Sequence, residues 1–209
     1  MRRLVIGGIA LGMSALAALS GSASADEPDV TQQAISNVVI NEVSAIGPNG
    51  ELDEAIEIRN MTGDQLSLEG YVVRLYSSTN QVLQTIPLSG VTLEPRDNDG
   101  DILVLTGVNF SSTVAPGAQV QPIAFQGTVG IPVNGGVAIF GSAAPTAVKQ
   151  DGIAMSAGAV TPKEGTQAAP ENITTAQLEA SNARNILSTD TNNNRVDFTL
   201  HHRTFGARN

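Results

Sequence analysis

Short apolar runs recur along the chain, each closed by a Gly, Pro, Asn or Asp turn signal, and this rhythm restricts the fold more than any other feature. In Ala55-Ile56-Glu57-Ile58-Arg59 the two isoleucines share one face while Glu57 and Arg59 share the other, which is the period of a half-buried strand. A helix would scatter those isoleucines. Val196, Phe198 and Leu200 alternate in the same way with Asp197 and Thr199. Val137 and Ile139 alternate with Ala138 and Phe140, all apolar, so that strand is expected to be covered on both faces. The expected strands span residues 38–43, 55–60, 71–76, 91–93, 101–106, 119–125, 137–140, 149–155 and 195–200.

The turns carry their own chemistry. Pro48-Asn49-Gly50, Asn98-Asp99-Gly100 and Asn134-Gly135-Gly136 contain pairs that tolerate the positive φ of tight hairpins. Residues 141–170 are rich in small residues and are expected to be loop around one strand near Ile153. One marginal helix is expected where Thr174 can cap and Gln177 can complete a capping box. With two Tyr, five Phe and no Trp, the core must be built from Val, Ile and Leu. The absence of Cys excludes disulfides, thiolate metal sites, a Cys nucleophile and lipoprotein anchoring.

Residues 1–25 read as an export signal. Arg2 and Arg3 precede an apolar run to Leu19, and Ala23-Ser24-Ala25 supplies small residues for cleavage before Asp26. Residues 26–36 form a polar lead, and residues 37–209 the expected all-β domain. Cleavage removes two arginines and no acid, so the charge moves from -9 to -11. No second apolar span follows, which predicts a secreted or cell-envelope product that is not an integral membrane protein.

Three separated blocks resemble one family. They are Val38-Val39-Ile40-Asn41-Glu42-Val43 with Glu54-Ala55-Ile56-Glu57-Ile58-Arg59-Asn60, then Leu66-Ser67-Leu68-Glu69-Gly70-Tyr71-Val72-Val73, then Asp190-Thr191-Asn192-Asn193-Asn194-Arg195-Val196-Asp197-Phe198 with Thr204-Phe205-Gly206. In order and spacing they are similar to the lamin tail domain in its bacterial secreted form. The resemblance implies an immunoglobulin-like β-sandwich that serves as a binding or structural module outside the cell. Departures fall at Ala55, Met61, Tyr71 and Phe205, where the family commonly has an aromatic, Pro, Trp and Pro.

Candidate chemistry is sparse. His201 and His202 are adjacent, so a strand would send them to opposite faces, and no nucleophile elbow, phosphate loop or zinc-protease motif occurs. Glu42 and Glu57 fall on strands that can pair, but without aromatic platforms they read as structural, not as a glycosidase pair. Two oxygen-rich turns leave calcium open, one with Asp97, Asp99 and Asp101, the other with Asp190, Asn192 and Asn194; the competing reading is a turn held by its own side-chain to backbone bonds. Asn60, Asn109 and Asn172 match the N-glycosylation pattern, which matters only in a glycosylating host. Arg195, His201, His202, Arg203 and Arg208 make the C-terminal end locally basic. Since some lamin tail domains bind DNA through basic surface, the resemblance makes this a candidate patch for nucleic acid or another anionic polymer, against an ordinary solvated terminus. The sequence therefore predicts a secreted, non-catalytic binding or envelope-associated structural module for an unnamed extracellular ligand. The alternative is an extracellular hydrolase with an unrecognised carboxylate site.

Overall fold

A computed structural model of the chain describes residues 36–127, 130–170 and 178–209. The export signal, nearly all of the polar lead and the expected helix at Thr174 to Gln177 lie outside the described residues.

Among the described residues, twelve strands and one helical turn follow one another in the order β1 (Val38–Ser44), β2 (Ala55–Asn60), β3 (Leu66–Ser67), β4 (Val72–Tyr76), β5 (Val82–Pro87), β6 (Thr92–Leu93), β7 (Ile102–Thr106), β8 (Gln119–Pro122), β9 (Gly136–Phe140), β10 (Lys149–Ala154), β11 (Ala180–Ala183), α1 (Asn194–Asp197) and β12 (Thr199–His202). The protein is an all-β sandwich. One sheet has the order β12-β11-β1-β2-β7-β8 and the other β10-β9-β4-β5, with β3 and β6 as a small separate pair. Every ladder is antiparallel except that of β7 with β8.

Between the sheets lie Ile56, Ile58, Leu103 and Leu105 from one side and Val73, Leu75, Val137, Ile139 and Ile153 from the other. As expected, β9 is covered on both faces. The face of β2 opposite its isoleucines was expected to meet solvent, yet all six residues of that strand are buried. The cause is the C-terminal segment, whose Phe205 packs with Ala55, Ile102 and Val104 on the far side of the six-stranded sheet. Beside it Phe110 meets Phe205 edge-on at 5.6 Å.

The expected strand at 195–200 is corrected. Its first part is α1, and Val196 is 65% exposed, so Val196, Phe198 and Leu200 do not share one buried face. Asn193 caps the turn by accepting from the Arg195 amide, and Asp197 accepts from the Thr191 and Asn193 amides. These local bonds satisfy the backbone without a ladder, and pairing resumes only at Thr199. The expected hairpin signal at Asn134-Gly135-Gly136 also works differently. Gly135 and Gly136 do not have positive φ; they are needed for close approach, since a Cβ on Gly135 would lie 2.1 Å from the Tyr76 carbonyl oxygen. By contrast Gly50 and Gly100 adopt φ of 95° and 93°, as the turn chemistry requires.

Candidate functional site

A β-bulge begins the site. The register of β1 against β2 shifts between Ile40 and Glu42, leaving Asn41 as the extra residue, and the Arg184 amide donates to the Asn41 carbonyl at 2.8 Å. That contact delivers the Arg184 side chain, which is fully buried, into the corner where β1, β10 and α1 meet. Its Nε donates to the Ile40 carbonyl at 2.9 Å and its Nη1 to the Thr189 carbonyl at 2.8 Å. Nη2 lies 2.9 and 3.1 Å from the two oxygens of Asp151, while Nη1 lies 3.4 Å from Asp190 and 3.1 Å from Asp197. The guanidinium also sits 4.5 Å from the Phe198 ring centre. Asp151 accepts from the Ile40 amide at 2.6 Å, so one carboxylate ties β10 of one sheet to β1 of the other.

Glu164 completes this cluster, 3.9 Å from Arg184 and 3.4 Å from Lys149. Burial, and next the charge of Asp151, push its pKa up to about 9. Burial likewise raises Asp151, against the pull of Arg184. For Arg184 burial works against the charge, but the surrounding carboxylates outweigh it and raise the pKa.

A second arrangement lies on the outer face of β1 and β2. Glu42 and Glu57 stand opposite each other in register and both are fully buried. Glu42 accepts from the Thr204 amide at 2.9 Å and hydroxyl at 2.8 Å; Glu57 accepts from the Gly206 amide and from Asn41, both at 2.6 Å. Burial, then the charge of Glu42, push Glu57 up to about 8. Nearby, Asp53 takes Arg203 at 2.8 Å, the Asn49 amide at 2.9 Å and the Ser111 hydroxyl. Burial opposes its charge, but those hydrogen bonds prevail and hold its pKa below the usual value. Glu54 beside it is buried with one oxygen on the Ile131 amide at 2.6 Å, and burial pushes it up to about 8.

The candidate residues are distributed unevenly over these arrangements. Asp97 pairs with Arg59 at 2.7 Å and Arg208 at 3.0 Å, and Asp101 with Arg59 at 3.0 Å, so arginines supply the cations at the first oxygen-rich turn. Asp99 lines a shallow depression of about 120 Å³ with them. At the second turn Asp190 faces Arg184, the Asn192 amide donates to Asp190, and Asn194 is buried with its side chain on the backbone of Gly152, Ala154 and Glu164. Carboxyl oxygens of Asp151, Glu164 and Asp190 lie within 4.8 Å of one another, but Arg184 stands among them. Of the candidate basic residues, Arg195, His202 and Arg208 are exposed. Arg203 turns inward, its donors spent on Asp53, Ser44 and the Ile46 carbonyl, Arg208 is paired to Asp97, and Arg195 is exposed on α1. His201 bonds through Nδ1 to the His202 carbonyl at 2.7 Å.

Sequence reasoning singled out Glu42 and Glu57 but missed Arg59, Asp53, Asp151, Glu164 and Arg184 as functional parts of the fold. Arg59 was legible only as one side of an alternating strand. Arg184 follows Ala-Ser-Asn-Ala, a run with no apolar signal. Other openings lie at the surface. A cleft of about 450 Å³ on the four-stranded sheet is lined by Arg74, Tyr76, Asn80, Val82, Phe140 and Pro145, with Arg74 stacked 4.4 Å over Phe140. A more polar depression of about 240 Å³ lies among Pro48, Ser111, Ser112, Thr113, Glu179 and His202.

The raised carboxyls set a pH dependence. Folded Glu54, Glu57 and Glu164 keep their protons to about pH 8, 8 and 9, whereas unfolded glutamates release them near 4.5. Between those limits the folded chain binds more protons, so their stabilisation is full on the acid side and is lost as pH rises. Asp53 acts oppositely, losing its contribution only in strong acid. The thermal midpoint should fall by at least about 10 °C between pH 6 and pH 9. A midpoint that is flat or rises over that interval would show that these groups ionise freely in the folded protein.

No helix among the described residues is long and apolar enough to cross a membrane. No protein-family model matches the chain, and no curated protein matches it.

Proposed function

We propose that this chain is a secreted, immunoglobulin-like module of the lamin tail kind that binds an extracellular or cell-envelope ligand, or braces the envelope, without catalysing a reaction. One observation carries the reading: the acids best placed for chemistry are committed to holding the chain. Glu42 and Glu57 grip the backbone of Thr204 and Gly206, Asp53 grips Arg203, and Asp151 and Asp197 grip Arg184. A general acid or base must reach a substrate proton, and these carboxyls are turned to the protein's own amides and arginines. The resemblance adds support, because its blocks form adjoining parts: β1 and β2 from the first, β3 and the start of β4 from the second, and the Arg184-binding turn with the Glu-bound C-terminal segment from the third.

Two experiments test the reading. Expressed in an exporting bacterium, the protein should appear in the medium or envelope fraction with a mass that starts at Asp26; an uncleaved product would contradict export through this signal. The purified protein should bind isolated envelope polymer and leave ester, phosphodiester and glycoside substrates unchanged. Turnover that is lost in Glu42→Gln or Glu57→Gln would instead establish the hydrolase.

A further inference from the structure

We propose that Lys149 and Glu164 condense within the folded chain to form an isopeptide bond. Lys149 opens β10, and Glu164 belongs to the loop that returns past it. Lys149 Nζ lies 3.4 Å from Glu164 Oε1 and donates to the Lys163 carbonyl at 3.2 Å. The Glu164 side chain is nearly fully buried and that of Lys149 largely so.

The acid is also fixed at its backbone. The Glu164 amide donates to Asn194 Oδ1 at 3.1 Å, and the Asn194 amide donates to the Glu164 carbonyl at 3.0 Å. Such positioning turns an encounter between two side chains into an intramolecular one, which is where amine and carboxyl groups gain most in reactivity. Neither carboxyl oxygen of Glu164 accepts a hydrogen bond from a donor within the protein. Its contact with Asp151 is between two acids and needs a proton between them. The burial that keeps Glu164 protonated thus maintains it as a carboxylic acid, the form with a hydroxyl to lose.

The step balances without a further reactant. Glu164 supplies the acid, and the ammonium of Lys149, whose side chain keeps some solvent exposure, releases one proton to water to give the amine. The amine lone pair adds to Glu164 Cδ, forming the N–C bond; the C–OH bond breaks, and an amine proton passes to the departing oxygen. One water leaves, and nothing is oxidised or reduced. The product staples the loop before Glu164 to an edge strand, in a chain whose sequence has no cysteine with which to do so.

Mass spectrometry of the folded protein, held at pH 7 for several days and then denatured, tests this. The intact mass should be one water below that of the linear chain with the same termini, and trypsin should fail to cut after Lys149, leaving the Lys149 and Glu164 peptides joined. Lys149→Arg and Glu164→Ala should each have the linear mass. A folded wild-type protein that retains the linear mass and is cut after Lys149 overturns the proposal, as does a water loss that persists in either variant.

Discussion

Arg184→Ala should abolish the cooperative unfolding transition at 37 °C, or shift it so far that little folded protein remains. The substitution leaves Asp151, Asp190 and Asp197 in the interior without their shared cation. Breaking a buried pair from one side costs about 3–5 kcal/mol, and two backbone carbonyls, of Ile40 and Thr189, lose their donor at roughly 1–3 kcal/mol each. A domain stable by about 5–15 kcal/mol has little margin for such a loss. Arg184→Lys should recover only part of it, because an ammonium keeps the charge but cannot make the forked contact to Asp151 while also reaching the two carbonyls. Urea unfolding followed by circular dichroism measures this; an alanine variant that unfolds at the wild-type midpoint would show the cluster to be dispensable.

Removing Arg203 to Asn209 should have the next largest effect. The deletion takes the Thr204 donors from Glu42 and the Gly206 amide from Glu57, takes the cation from Asp53 and uncovers the face of the six-stranded sheet at Ala55, Ile102 and Val104. Loss of Phe205 alone, an aromatic side chain only 1% exposed, corresponds to about 3–5 kcal/mol. The truncated protein is expected to bind hydrophobic dyes and to lack a sharp thermal transition. A truncated chain that melts like the parent would mean that the C-terminal segment decorates the sandwich instead of closing it.

The long inner strands can be read from the sequence, because β1, β2, β4, β7, β9 and β10 carry branched apolar residues between clear turn signals. The short or edge strands β3, β5 and β11 lie outside the expected ones. In β11 the residues are Ala, Ser, Asn and Ala, which gives no alternation, and the strand is placed by its neighbours and by Arg184 just beyond it. In β5 Val82 and Leu83 are both substantially exposed, as suits an edge strand, so burial there has no period to reveal. The Asp190 turn shows the opposite difficulty. Its spaced oxygens resemble a cation loop, and a cation is indeed bound, but it is an arginine that a local reading does not bring near. The same holds for Arg203, whose basic neighbours suggested a surface patch until its long-range partner Asp53 was in view. Pairings between residues this distant in sequence leave no trace in local composition.

The claim that the buried acids are committed to closing the fold is tested most directly by amide hydrogen exchange at Thr204 and Gly206, whose N–H groups donate to Glu42 and Glu57. At pH 6 these two amides should be protected to the same degree as the amides of β2, and Glu57→Gln should weaken protection at Gly206 more than in the four-stranded sheet. If both exchange at the rate of an unstructured chain while β2 stays protected, the C-terminal segment is not pinned, and Glu42 and Glu57 become available for the carboxylate chemistry that this account denies them.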